Sequence, residues 1–141
     1  MTSEENKTIA ARFYEVYNEG NMELTDKLFS PDFVGRDPND PSQERRGPEG
    51  VKRVVAAFCE AFPDLEGTLE DQTAEGDKVV NCYRERRTHR GEFLDVAPTG
   101  REVELAGVTI FRLSGGKIVE GWDFYDGLGL LRQLGAIPLS E

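Results

Sequence analysis

Residues 107–134, GVTIFRLSGGKIVEGWDFYDGLGLLRQL, decide the fold because they carry two strand signals and a helix signal in succession. β-Branched and aromatic residues fill both strand candidates, and Ser114-Gly115-Gly116 predicts the tight turn between them. Beyond Asp126, a good helix N-cap, four leucines recur at helical spacing. They are Leu128, Leu130, Leu131 and Leu134. The stretch is therefore predicted to be an antiparallel hairpin followed by a helix.

The remaining chain supplies helices first and strands afterwards. A helix is predicted over Thr2–Glu19, capped by Thr2 and ended by Gly20. A short second helix follows Asn21, and a third begins at Pro48. Strands are predicted at 33–34, 65–73, 78–89, 101–113 and 117–125. Because the later strands follow one another through short turns, we expect an α+β fold with an antiparallel sheet and helices on one face.

Composition restricts the function more than it defines it. With 141 residues, residues 1–141 are expected to form one domain, and a net charge of −10 argues against nucleic acid as a partner. No apolar run is long enough for a membrane span, and the acidic start MTSEENKT is unlike a signal peptide, which predicts a cytoplasmic protein. Cys59 and Cys82 are predicted to be buried thiols, and a single histidine argues against a zinc site.

The last strand offers two acids to a pocket under the helices. Alternation places Glu120 on one face and Asp123 on the other, so periodicity alone does not choose between them. His89, at a strand end, is either an exposed turn residue or a pocket residue. The polar loop 37–47 is either a lid or a mobile surface segment. Arg84 belongs to a basic cluster for which cross-strand ion pairs are the simplest interpretation.

Five segments together resemble the SnoaL-type polyketide cyclases, within the superfamily shaped like nuclear transport factor 2. The segments are YNEG (17–20), DFVGRDP (32–38), THRGEFLDVAPTGREV (88–103), FRLSGGKIVEGWDFYD (111–126) and GLLRQLG (129–135). The likeness extends from about Ile9 to Pro138. It implies a cone-shaped fold in which a strongly curved, mixed or antiparallel sheet wraps around the N-terminal helices. It also implies a deep pocket and a homo-oligomer, a dimer or tetramer.

The resemblance further implies the chemistry. Family cyclases close a ring by intramolecular aldol condensation, without a metal or cofactor, and one aspartate serves as base and acid. By its place after GKIVE that aspartate is Asp123, which is also the first aspartate of a segment similar to that of limonene epoxide hydrolase. The predicted catalytic residues are Asp123, His89 and Arg84. The predicted residues for binding a small hydrophobic carbonyl substrate are Tyr17, Phe13, Phe33, Phe58, Thr109, Phe111 and Trp122.

The chain also departs from the family. Gly107, Thr109 and Gly35-Arg36 stand where similar cyclases carry polar or histidine side chains. This leaves a non-catalytic module that binds a small hydrophobic ligand as an alternative to a cyclase or related isomerase or lyase of antibiotic biosynthesis. An epoxide hydrolase ranks lowest, because the sequence shows no second acid beside an arginine on one strand.

Overall fold

The α+β fold is confirmed in the computed structural model, which describes residues 1–137; Pro138 and the end of the predicted domain lie outside the described residues. The helices are α1 (Ser3–Ala11), α2 (Phe13–Glu19), α3 (Met22–Leu28), α4 (Gly47–Ala61) and α5 (Gly127–Gln133). The strands are β1 (Phe29–Arg36), β2 (Glu44–Arg46), β3 (Glu66–Glu75), β4 (Lys78–Thr88), β5 (Glu102–Ser114) and β6 (Lys117–Tyr125). None of the helices within 1–137 is long and apolar enough to cross a bilayer.

Within these residues the strands form one mixed sheet in the order β2-β1-β6-β5-β4-β3. Strands β3 to β6 pair antiparallel in sequence order, as predicted. The strand spacing predicted an antiparallel sheet and the resemblance a mixed or antiparallel one. The sheet is mixed, because β1 pairs parallel with β6 and places Gly35 opposite Gly121. The sequence signal at 33–34 covered only part of this strand. The parallel pair brings β1 and the loop after it beside the acidic residues of β6.

The predicted first helix is divided near Arg12, whose backbone ends α1 with a shorter-range hydrogen-bond pattern. Two side chains of the sheet donate hydrogen bonds to backbone carbonyls of α1: Gln72 donates to the Lys7 carbonyl and Asn81 to the Ala10 carbonyl. The predicted caps are confirmed, because the Thr2 hydroxyl accepts from the Glu5 amide at 3.1 Å. The contacts from Gln72 and Asn81 fix α1 against the inner face of β3 and β4.

An aromatic cluster joins the helices to the sheet. Phe13 of α2 lies edge-on to Phe29 and Phe111, and Phe29 lies edge-on to Phe33, with ring centroids 4.7–5.5 Å apart. Such edge-to-face pairs add to the free energy gained by burying the rings. Together these rings form one side of the cavity described below.

Two local predictions change. The loop 37–47 was predicted without regular structure, but its end forms strand β2, which pairs with β1 and holds Arg45 opposite Gly35. Cys59 and Cys82 are free thiols, yet each is partly exposed, so the prediction that both are buried was wrong. Asp126 caps α5 as predicted, since its carboxylate accepts from the Gly129 amide at 2.8 Å.

Candidate active site

A cavity lies between the inner face of the sheet and helices α2 and α4. Its free volume is about 40 Å³. Six of the predicted substrate-binding residues line it: Phe13, Tyr17, Phe33, Thr109, Phe111 and Trp122. Aromatic rings thus form most of its wall, which suits a flat hydrophobic ligand.

Asp123 projects into this cavity from β6 and is the carboxylate that the structure selects between the two acids of the strand. Its Oδ1 accepts hydrogen bonds from the Tyr83 hydroxyl at 2.8 Å and from the Thr109 hydroxyl at 3.3 Å. Thr109 lies directly opposite Asp123 in the β5–β6 register. Glu120 is not part of the cavity wall; its carboxylate binds Arg112 at 2.7 Å. Two hydroxyl groups therefore fix one oxygen of Asp123 and orient the other.

Gly107 makes room for the tyrosine that holds Asp123. It lies opposite Tyr83 in the β4–β5 register, and a Cβ atom there would overlap the Tyr83 phenol and come within 2.9 Å of the Phe124 carbonyl. A larger residue would displace the Tyr83 hydroxyl from Asp123. Gly107 was predicted to be a lost polar partner, but the Tyr83 hydroxyl of the neighbouring strand supplies the hydrogen bond instead.

Arg45 supplies the positive charge nearest to Asp123. Its Nη1 lies 4.0 Å from Asp123 Oδ2, and its Nη2 lies 3.2 Å from Oδ2 of the buried Asp37. Both Arg45 and Asp37 come from the two ends of the polar loop, so the strand β2 decides their position. Gly35 allows this approach, because a Cβ there would lie 2.9 Å from the Phe33 ring and 3.4 Å from the Arg45 Cβ.

Burial raises the pKa of Asp123, the largest effect on this group. The charge of Arg45 and the hydrogen bonds from Tyr83 and Thr109 oppose that rise, and the charge of Asp37 adds to it. Burial and the nearby Asp123 charge raise the pKa of Tyr83 as well, so its phenol stays protonated and donates. An aspartate whose pKa is raised toward neutrality is a stronger base than a solvated one.

The structure does not bring His89 and Arg84 to Asp123. Arg84 lies on the outer face of β4, half exposed, and pairs with Glu70 of β3 at 3.3 Å. His89 is fully buried outside the cavity wall, and its Nδ1 accepts from the Thr99 amide at 3.2 Å, which closes the 89–100 loop. Neither side chain can contact a ligand beside Asp123, so we leave both out of the proposed site.

Phe58 lines a second, more open pocket of about 380 Å³. Its wall is formed by the loop after β1, helix α4 and residues 92–94, and it shares Arg45 and Val54 with the aromatic cavity. The two spaces therefore meet at the Arg45 side chain. Within residues 1–137, no three His, Cys, Asp or Glu side chains are grouped as metal ligands would be.

Four residues of the cavity and its rim were missed in the sequence: Tyr83, Glu85, Arg45 and Asp37. Alternation along β4 places Tyr83 and Glu85 on the inner face, so the same argument that was applied to β6 would have found them. Arg45 and Asp37 carry no such signal, because their position depends on the pairing of β2 with β1.

Comparisons with known proteins identify the family of this chain. The family model for the SnoaL-like polyketide cyclases matches residues 7–134. The chain belongs to the SnoaL-like polyketide cyclase family. A relative, the aklanonic acid methyl ester cyclase DnrD of Streptomyces peucetius, is 28% identical over 129 residues, which cover 90% of this chain and 88% of DnrD.

Two solved structures of the same fold extend the comparison. A proposed SnoaL-like polyketide cyclase from Jannaschia sp. CCS1 superposes with a TM-score of 0.88 at 29% identity, covering 96% of this chain and 95% of its own. AclR of Streptomyces galilaeus, a proposed hydroxylase, superposes with a TM-score of 0.85 at 30% identity, covering 99% and 87%. The predicted family and fold are thus confirmed, and one similar protein is assigned a different reaction.

Proposed function

We propose that this protein is a cofactor-independent cyclase that closes a ring in an aromatic polyketide ester or ketone, with Asp123 as base and acid. The observation that carries the proposal is how the two oxygens of the Asp123 carboxylate are placed. One oxygen is held by Tyr83 and Thr109, while Oδ2, to which no residue within 1–137 donates a hydrogen bond, lies in an aromatic cavity. This is the arrangement that proton abstraction from a carbon acid requires.

The reaction begins with proton transfer to Asp123 Oδ2 from a carbon beside a carbonyl. The C–H bond breaks, and its electron pair is delocalised as an enolate. The enolate carbon then attacks a second carbonyl of the same molecule, so that a C–C bond forms and the carbonyl oxygen becomes an alkoxide. Protonated Asp123 returns the proton to that oxygen, and the product is an isomer of the substrate.

Arg45 is the group best placed to stabilise the negative oxygen. Its guanidinium lies beside Asp123 Oδ2 and at the junction of the two pockets, where it can donate to a ligand oxygen while Asp37 holds it in place. A charged donor in a site of low polarity lowers the free energy of a developing oxyanion by a few kcal/mol. In this account Arg45 assists Asp123 in place of His89 and Arg84, the other predicted catalytic residues.

The test compares the two acids of β6. Asp123→Asn is expected to lower turnover by ~10²–10⁴-fold while the protein stays folded. Glu120→Gln is the matched control on the outer face, and its turnover should stay near that of the wild type. Aklanonic acid methyl ester is the first substrate to assay, because similar cyclases are named for it. Undiminished turnover of the Asp123→Asn variant would contradict the role of Asp123, and binding without turnover in the wild type would favour a binding module.

A hydrolase is the second candidate, and one observation favours it more than the sequence did. No second acid stands beside an arginine on one strand, but the fold brings Asp37 from another segment to Arg45, so that Asp37 and Asp123 flank one arginine. Such an arrangement could activate water to open an epoxide. Reaction in ¹⁸O-labelled water distinguishes the candidates, because a hydrolase adds one solvent oxygen to the carbon skeleton and a cyclase adds none.

A further inference from the structure

A second carboxylate of the cavity, Glu85, is not used in the reaction above. It lies on the inner face of β4, two residues after Tyr83, and contributes to the aromatic cavity wall. Its side chain is 10% exposed and that of Arg87, the next inner residue, is 0% exposed. Arg87 Nη1 lies 3.1 Å from Glu85 Oε2. A buried ion pair therefore stands directly behind the cavity that holds Asp123.

Besides Glu85, the Arg87 guanidinium is contacted by two aromatic rings. Its guanidinium carbon lies 4.4 Å from the centre of the Phe62 ring and 5.2 Å from that of Phe58. None of its three side-chain nitrogens makes a well-aligned hydrogen bond with any residue in the described part of the chain, 1–137. Burial and the charge of Asp123 raise the pKa of Glu85, whereas the charge of Arg87, which does not lose its proton in proteins, opposes that rise and favours the ionised carboxylate. Arg87 is thus a positioning residue that keeps Glu85 a hydrogen-bond acceptor.

The Glu85 carboxylate retains capacity for a ligand. Arg87 approaches Oε2, and no side chain or amide within 1–137 donates a hydrogen bond to either carboxylate oxygen of Glu85. An ionised carboxylate accepts at both oxygens, so an acceptor is left at the cavity wall. The matching group on a ligand is a neutral hydrogen-bond donor, because Arg87 already balances the charge of Glu85.

We propose that Glu85 determines substrate selection by accepting a hydrogen bond from a phenolic hydroxyl on the aromatic ring system whose carbonyl end lies at Asp123. A phenol combines the neutral donor that Glu85 needs with the flat ring that the aromatic wall needs. This inference rests on the proposed function, since it assumes an aromatic carbonyl ligand in the cavity. It assigns Glu85 a binding role and no step in proton transfer.

Binding without turnover tests the inference. The probes are 4-hydroxyacetophenone and acetophenone, titrated by NMR chemical shifts into protein carrying Asp123→Asn in every case. The charge-neutral double variant Glu85→Gln/Arg87→Met removes the pair without leaving one buried charge. Glu70→Gln/Arg84→Met is the matched control, because it removes an exposed cross-strand pair from the same two strands. Glu85→Asp keeps both charges and withdraws the carboxylate by one methylene. It allows the same binding comparison if the double variant does not fold.

With Glu85 in place, the phenol should bind about tenfold more tightly than acetophenone, the factor expected for a hydrogen bond to a charged group. The preference should be reduced in Glu85→Gln/Arg87→Met, because a neutral amide is a weaker acceptor than a carboxylate, reduced also in Glu85→Asp, and kept in the outer-face control. An equal preference in all variants would overturn the role of Glu85 while leaving the cyclase proposal intact. If neither ketone binds to any protein, the aromatic carbonyl ligand itself is refuted, and the inference falls with the proposed function.

Discussion

Two acids on one strand, Asp123 and Glu120, have similar exposure and opposite electrostatic environments. Their side chains are 21% and 27% exposed. Burial raises the pKa of Asp123 in the cavity, whereas hydrogen bonds from Arg112 and Arg36 lower the pKa of Glu120 on the outer face. Accessibility therefore does not distinguish a candidate base from a surface acid. The distance to the nearest arginine does, at 4.0 Å for Asp123 and 2.7 Å for Glu120.

Strand β4 shows the same contrast between its inner and outer faces, here in its ion pairs. Glu85 and Arg87 on the inner face of β4 form a pair from which water is excluded. Arg84, which precedes Glu85 in the sequence, points outward and pairs with Glu70 in solvent. Burial makes each charge of the inner pair dependent on the other, while solvent screens the outer pair. The charges of the inner pair thus lie beside the cavity with little screening by solvent, whereas solvent screens the charges of the outer pair.

The largest effect is expected from breaking the inner pair. Glu85→Gln and Arg87→Met should each lower the free energy of unfolding by about 3–5 kcal/mol, because either change leaves a buried charge without its partner. The double variant should lose much less than the sum of the two. Denaturant unfolding of all three variants measures this coupling.

Glu70→Gln and Arg84→Met provide the control on the outer face, with an expected loss under about 1 kcal/mol each. Equal losses for the inner and outer pairs, or additive losses in the inner double variant, would show that Glu85 and Arg87 are not energetically coupled.

An intermediate effect is expected at Tyr83. Tyr83→Phe removes the hydroxyl that stabilises the ionised form of Asp123, so the pKa of Asp123 should rise further. The acid limb of the pH profile of kcat/KM, which reports ionisation of the free enzyme, should then move to higher pH. Tyr14→Phe is the control, because the buried Tyr14 hydroxyl donates no hydrogen bond to Asp123. An unchanged acid limb in Tyr83→Phe would separate Tyr83 from the titration of Asp123.

The smallest effect is expected in the Tm at pH 7, which should change in opposite directions when Asp123 and Glu120 of β6 are neutralised. A raised pKa means that the folded state binds the proton of Asp123 more tightly, so stability falls as pH rises from the unfolded-state value of about 3.9 through the folded-state pKa. Asp123→Asn should therefore raise the Tm at pH 7. Glu120 has a lowered pKa and contributes stability above its unfolded-state value, so Glu120→Gln should lower the Tm at pH 7.

Thermal unfolding at pH 7 and pH 3 checks both signs. Both differences should shrink at pH 3, where the acids of the unfolded chain are protonated. A Tm that falls in both variants at pH 7 would contradict the opposite environments of the two acids.

Elements held together by local contacts could be predicted from the sequence. The Thr2 and Asp126 caps and the run of strands β3 to β6 depend on neighbouring residues, and they were identified from spacing and turn residues. The family resemblance then selected Asp123, which alternation alone left equal to Glu120. The predicted homo-oligomer stays a prediction.

The parts that failed depend on contacts between distant segments. Arg45 reaches Asp123 only because β1 pairs parallel with β6 and β2 pairs with β1, and no local signal specifies either pairing. His89 was predicted to be either an exposed turn residue or a pocket residue, whereas it is buried outside the cavity wall and its Nδ1 accepts a hydrogen bond from the Thr99 amide. A sequence pattern gives the face of a strand, but it does not give the strand that lies beside it.

Carboxyl titration of Asp123 by ¹³C NMR, with Glu120 as the internal reference, is the most direct test of the central claim that Asp123 is a base in a water-poor cavity. We expect Asp123 to titrate above the ordinary aspartate value of about 3.9 and Glu120 to titrate below the ordinary glutamate value of about 4.3. An Asp123 pKa at or below its ordinary value would contradict the account, because such a carboxylate would be too weak a base to remove a proton from carbon.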